Sequence, residues 1–213
     1  MSKWLVKAVG MEIDRETGIG GAHLRIDDVM IFNVFIKPDD QGQLVVCKPT
    51  KEPREDAPNT VFDYLDDELE AQVDQALREA YAREWANEKT PTKGAGGRVS
   101  KQHPRSPSYG DNATREEVRV SQPKVAVVFL ETINDDCLPT IVAFADVRIG
   151  DVLIYGFEVY RNKEGKLEVY RPRVILDVGL VPKTFNYLDS ELEERVEKAI
   201  LKAYAKDLAQ YNA

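Results

Sequence analysis

The side chains with chemistry to offer fall into three groups. Lys48, Lys51 and Arg54 surround Pro49, and Arg171 and Arg173 flank Pro172. Long cationic side chains on loops just after a strand suit phosphate oxygens, so these five are the candidate nucleic-acid contacts. A second basic group, Lys89, Lys93, Arg98, Lys101 and Arg105, runs without an intervening acid. It could touch nucleic acid or an acidic partner, and a solvated tether would look the same. The third group is acidic. Asp66 and Glu68 return as Asp189 and Glu191. Helix capping and the positive end of a helix dipole explain such carboxylates better than acid–base catalysis does.

Catalytic constellations are not evident. His23 and His103 are not in equivalent positions of the repeat, and the Gly18–Gly21 stretch GIGG has the character of a hairpin turn. No nucleophile–base pair, Cys/His metal spacing or Gly-rich phosphate loop is present in the sequence. An enzyme is therefore not expected, nor a bound metal or cofactor.

The elements that must position these groups are revealed by a duplication. Phe62–Ala86, FDYLDDELEAQVDQALREAYAREWA, returns as Phe185–Ala209, FNYLDSELEERVEKAILKAYAKDLA, 123 residues later. The offset holds without a gap back to Arg25 and Arg148, with 22 of 62 positions identical. A repeat of this length is a domain-sized unit, not a solenoid turn. Its boundaries fall at 1–86 and 123–213, with 87–122 between them.

Within each copy the order is hairpin, strand, hairpin, helix. Trp4–Ile13 and Ala22–Ile26 are expected to pair around the Asp14–Gly21 turn, and Lys124–Ile133 with Thr140–Ile149 around NDDCLP. Val29–Ile36 and Val152–Tyr160 are apolar runs of central-strand character. Asp39–Gly42 and Asn162–Gly165 are polar turns leading into Leu44–Cys47 and Leu167–Tyr170, which end at Pro49 and Pro172. After that the copies diverge. Copy one continues as a charged, Pro-rich loop; copy two carries Val174–Val181, VILDVGLV, suited to a further short strand or a partner surface. Phe62–Ala86 and Phe185–Ala209 are expected as amphipathic helices. Leu65, Leu69, Val73, Ala76, Leu77, Ala80 and Tyr81 form one stripe, and Leu188, Leu192, Val196, Ala199, Ile200, Ala203 and Tyr204 the other. Either Asp63/Asn186 or Asp66/Asp189 could cap them. Tyr64, Tyr187, Tyr81, Tyr204 and Trp85 are expected to close the core.

The fold class is α+β, each unit an antiparallel sheet of four to five strands followed by one helix. Residues 87–122, rich in Gly, Pro, Ser and Thr, are expected to be a flexible basic linker.

The totals exclude several classes. Net charge is −8, but residues 1–86 carry 10 basic and 18 acidic groups, residues 87–122 carry 7 and 4, and residues 123–213 carry 12 and 15. An acidic total argues against broad non-specific phosphate binding, though not against a local basic surface. No apolar run approaches the ~20 residues of a membrane span, and the N-terminal stretch lacks the apolar core of a secretory signal. Only Cys47 and Cys137 occur, at non-equivalent places, so a reducing, cytoplasmic setting is expected.

Two blocks carry a family resemblance. Asp28–Thr50, DVMIFNVFIKPDDQGQLVVCKPT, with its acidic turn, apolar strand, Gly turn and short strand ending at Pro, resembles the SpoVG (stage V sporulation protein G) family of bacteria. The segments Ala76–Tyr81, ALREAY, and Ala199–Tyr204, AILKAY, are similar to that family's closing helix. The similarity covers most of both units and none of the linker. It implies a fused pair of units forming an internal pseudo-dimer, and a nucleic-acid-binding regulator of DNA or RNA, with further self-association open. Copy one keeps the family's basic loop after the proline, whereas copy two replaces it with apolar residues after Arg171 and Arg173. The acidic helices are a second departure. A protein-interaction module, adaptor or inhibitor, is therefore the competing expectation. Copy two also places Tyr155, Tyr160 and Tyr170 near a sheet face of the kind bases can stack on, although cross-strand packing explains strand aromatics as well.

Overall fold

A computed structural model of the chain describes residues 3–50, 59–87, 122–133, 140–172, 174–176, 179–181 and 184–211. Copy one contributes β1 (Val6–Asp14), β2 (Ile19–Ile26), β3 (Val29–Pro38), β4 (Leu44–Cys47), β5 (Phe62–Tyr64) and α1 (Asp67–Asn87). Copy two contributes β6 (Val125–Thr132), β7 (Ile141–Ile149), β8 (Val152–Arg161), β9 (Leu167–Tyr170), β10 (Val174–Leu176), β11 (Gly179–Val181), β12 (Phe185–Tyr187) and α2 (Ser190–Tyr211). The class is α+β, with antiparallel pairing throughout.

The expected strands are present, with small shifts of boundary. The turn after β1 is shorter than expected, because Ile19–Gly21 already belong to β2. Gly20 is needed there, since a Cβ would lie 2.8 Å from the Tyr81 ring. In copy two, Val174–Val181 folds as the small hairpin β10–β11. The copy-one loop at 51–58 and the NDDCLP turn lie outside the described residues.

One expectation is corrected. The helices do not begin at Phe62 and Phe185; the first three residues of each segment are strands, and the two strands are exchanged. β5 of copy one adds to β8 of copy two, pairing Phe62 with Ile154 and Tyr64 with Val152. β12 of copy two adds to β3 of copy one, pairing Phe185 with Ile31 and Tyr187 with Val29. The flanking bonds repeat the exchange. Tyr155 N–H donates to the Val61 carbonyl at 2.8 Å and Phe32 N–H to that of Thr184 at 2.9 Å. Leu65 N–H donates to the Asp151 carbonyl and Leu188 N–H to that of Asp28, both at 2.9 Å. So each five-stranded sheet, β1-β2-β3-β12 with β4 and β6-β7-β8-β5 with β9, is completed by the other copy.

The physical reason lies in alternation and capping. Phe62 and Tyr64 stand two apart, as do Phe185 and Tyr187, and a strand puts both rings of each pair on one face. Asp66 and Asp189 then accept the amides of Glu68 and Glu191, both at 2.9 Å, and these N-caps fix where the helices start. Of the two candidate cap pairs, Asp66/Asp189 is the one used.

The helices recross to their own sheets, α1 mainly against β1 and α2 mainly against β6. They bury Leu69, Val73, Leu77, Ala80 and Tyr81, and Leu192, Val196, Ile200 and Tyr204. Leu65 and Leu188, expected in the stripes, precede the helices and are exposed. One hydrophobic cluster spans both copies, and Phe185, hydrogen-bonded into sheet one, meets Phe157 of sheet two edge-on at 6.0 Å.

Substituting Leu69 or Leu192 by Ala removes a fully buried side chain and is expected to lower unfolding free energy by about 2–5 kcal/mol. Urea denaturation measures it, and an unchanged midpoint would contradict the packing of these helices on the sheets.

Candidate functional site

Lys48 and Arg171 occupy equivalent positions, each just before the proline that ends β4 or β9. Both side chains turn inward. Lys48 Nζ lies 2.5 Å from Asp63 Oδ1, 3.3 Å from Glu70 Oε1 and 4.5 Å from the Tyr64 ring centroid. Arg171 donates to Asn186 and to Glu193, with its guanidinium carbon 4.7 Å from the Tyr187 centroid. The partners correspond one for one across the repeat. Each is therefore a clamp in which a cation sits on a strand tyrosine and is neutralised by the first turn of the following helix. Burial pushes the Tyr64 and Tyr187 hydroxyls far above the usual phenol range. Only 20% of the Lys48 side chain and 25% of the Arg171 side chain is exposed, so little of either is presented to a phosphate.

Lys51, Arg54, Arg173 and the linker residues Lys89, Lys93, Arg98, Lys101 and Arg105 lie outside the described residues. Asp66, Glu68, Asp189 and Glu191 sit at the helix starts, where capping explains the two aspartates. Among the described residues no group of three or more His, Cys, Asp or Glu side chains could hold a metal. No helix among them is long and apolar enough to cross a membrane.

His23 and Asp146 are equivalent positions at a bulge in the β2–β3 and β7–β8 ladders. Each bulge faces a residue with positive φ, Asn33 at 60° and Gly156 at 82°. Asp146 is buried and accepts the Gly156 amide at 2.8 Å. His23 instead packs edge-on against Phe32 at 4.9 Å, and its Nδ1 is buried with no hydrogen-bond partner.

Sequence reasoning noticed the copy-two tyrosines but missed the acids interleaved with them. On the face of sheet two turned away from α2, the register sets Glu131 beside Phe144, Phe144 beside Glu158 and Glu158 beside Tyr170. The next row sets Tyr160 beside Glu168. The Tyr160 hydroxyl donates to Glu158 at 3.0 Å and the Tyr170 hydroxyl to Glu168 at 3.1 Å, with the two rings 4.7 Å apart. Phe129 and Tyr170 are exposed by 47% and 41%. The corresponding positions of sheet one hold Glu12, Gly21, Phe35 and Cys47, then Lys37 and Val45. Alternation in β8 and β9 was the available signal: Glu158 and Tyr160, like Glu168 and Tyr170, stand two residues apart and so share a face.

Comparison with protein-family models, with curated proteins and with solved structures returns no match.

Three outcomes are expected here. Lys48→Ala and Arg171→Ala each strand carboxylates over a tyrosine and should cost about 1 kcal/mol, the size of a partly exposed ion pair. Arg171→Lys should recover only part of that, because the planar fork is lost. Thermal melts of the three variants measure both. For His23, burial holds the imidazole below its ordinary value of 6.5. The unfolded chain then binds more protons than the folded one just below that pH. Stability should be full above it and decline as pH falls beneath it. His23→Gln should flatten that part of a pH-stability profile, and an unchanged slope would exclude His23 as its source.

Proposed function

We propose that the chain is a non-catalytic regulatory binding module, a fused SpoVG-like pair folded as an internal pseudo-dimer, whose ligand is a protein. The equivalent exchange of β5 and β12 supports the pseudo-dimer, since each copy supplies the other with the same strand in the same register. The engagement of Lys48 and Arg171 by carboxylates carries the choice of ligand class. It leaves the described surface without the pair of phosphate contacts that the repeat offered, while sheet two presents carboxylates and aromatic rings. A protein partner tolerates such a surface, and the excess of acid in residues 1–86, 18 groups against 10 basic, disfavours a polyphosphate.

Binding of DNA or RNA is the second reading, favoured by the five linker cations Lys89, Lys93, Arg98, Lys101 and Arg105 together with Lys51, Arg54 and Arg173. It would place the contacts on the loops and linker and leave the sheets as scaffold. A reducing cytoplasm suits either reading.

A pull-down with the full chain distinguishes them. Capture of one protein that persists after nuclease treatment is the expected result. A salt-sensitive gel shift with mixed DNA and RNA pools, together with capture that nuclease abolishes, would favour the second reading. The pseudo-dimer has its own test: a protease site placed between residues 88 and 121 should yield two fragments that still co-elute in size-exclusion chromatography. Separation without denaturant would count against it.

A further inference from the structure

The two helices carry their outward charges differently. On α1 the row Gln75, Glu79, Arg83 is mixed, and Gln75 donates to Glu79 at 2.8 Å. The neighbouring row pairs Arg78 with Asp74 at 2.6 Å. On α2 the positions equivalent to the first row hold Lys198, Lys202 and Lys206. All three are exposed. Among the described residues, no carboxylate lies within ion-pair distance of any of them.

Cations four residues apart repel one another along a helix. The helix dipole does not offset this, because it acts within the last turn and α2 has no basic residue there. Packing does not call for lysine either, since α1 covers sheet one with Gln75 and Glu79 at the same places. What the row does provide is a ridge of ammonium groups rising about 6 Å per step. Ala205 and Ala209, both exposed, lie beside it, three and seven residues on from Lys202. Such small side chains leave a groove in which the ridge of another helix can lie. Glu194 continues the row on its N-terminal side, so the row runs acid, base, base, base.

We propose that the outer face of α2, centred on Lys198, Lys202 and Lys206, docks an acidic helix of a protein partner with carboxylates at every fourth residue. Charge complementarity selects the occupant. Carboxylates at i, i+4 and i+8 of a helix repeat at the same rise as the lysines, so each can meet one ammonium group. A phosphate backbone following the row would also meet Glu194, which disfavours nucleic acid at this place. The inference rests on the protein-partner reading and adds to it the surface and the chemistry of the partner.

The test uses the full chain and a fluorescein-labelled, Ala-rich peptide of about 20 residues with Glu at every fourth position, long enough to form a helix. Fluorescence anisotropy reads the binding. Binding at low salt that weakens as salt is added is expected, and a peptide of equal composition with its Glu residues gathered at one end should bind less tightly. Lys198→Gln, Lys202→Gln and Lys206→Gln combined should weaken binding about fivefold or more, as should Ala205→Glu, with melting temperatures held as a folding control. Lys124→Gln, Lys163→Gln and Lys166→Gln combined remove the same charge from exposed positions off the helix and should leave binding unchanged. Equal affinity for wild type and the α2 triple variant would overturn the assignment, and so would an equal loss in the off-helix triple. Single-stranded DNA or RNA that displaces the peptide, with an affinity that the α2 triple loses, would give the row to nucleic acid and overturn it too. Salt-sensitive self-association abolished by the α2 triple would give the row to a second copy of the chain instead. Nuclease-resistant capture of a protein that ignores the α2 substitutions would remove the docking row and spare the protein-partner reading. Capture abolished by nuclease, with no peptide binding, would remove both.

Discussion

The reciprocal insertion of two three-residue strands governs the rest of this structure. β5 and β12 are too short to be stable alone, yet each fills the remaining place in a sheet built by the other copy. Backbone hydrogen bonds on both sides of the insert lengthen the contact, and Phe62 and Phe185, both fully buried, anchor it in a shared core. Because the strand crosses over and the helix then returns, the chain at Leu65–Asp66 and Leu188–Asp189 must turn sharply. The aspartate caps stand at that turn. A unit that lost its partner would lose a strand and part of its core together.

The clamps depend on the same geometry. Tyr64 and Tyr187 lie under a cation only because β5 and β12 are held beside the neighbouring copy while the first helical turn swings back overhead. That turn brings Glu70 or Glu193 within reach. One cation thus ties together the end of a β-hairpin, an exchanged strand and a helix start. The electrostatic gain is modest, since Asp63 and Glu70 are 47% and 56% exposed. Its larger contribution is to register: a short strand with few ladder bonds is positioned by its tyrosine as well.

Much of the fold could be read from the sequence, because the duplication doubled every signal. β4 and β9 were placed residue for residue from a Gly turn on one side and a proline on the other. The helical stripes were legible wherever burial is one-sided, as at Leu69, Val73, Leu192 and Val196. The exchange was not legible. Three residues beginning with an aromatic continue a helical pattern as readily as they start a strand, and no local propensity says which copy's sheet receives them. The engagement of the cations was not legible for a related reason. Lys48 and Arg171 have the composition of a phosphate site, but the carboxylates that engage them are 15 to 22 residues further on and reach them only in the folded chain. The acid–tyrosine rows were written plainly in β8 and β9, and only the cross-strand register turned two short alternations into a surface.

The exchange also sets an order of events during synthesis. Phe62 waits for Ile154 and Phe185 reaches back to Ile31, so neither sheet can be closed while only the first copy has left the ribosome. The nascent first copy carries an unfilled slot along β3 in the meantime, and the loose strand that could fill it improperly is its own β5. Tethering the copies in one chain holds the correct second strand at high local concentration as soon as it is made, which favours closure within the molecule over pairing with a neighbour.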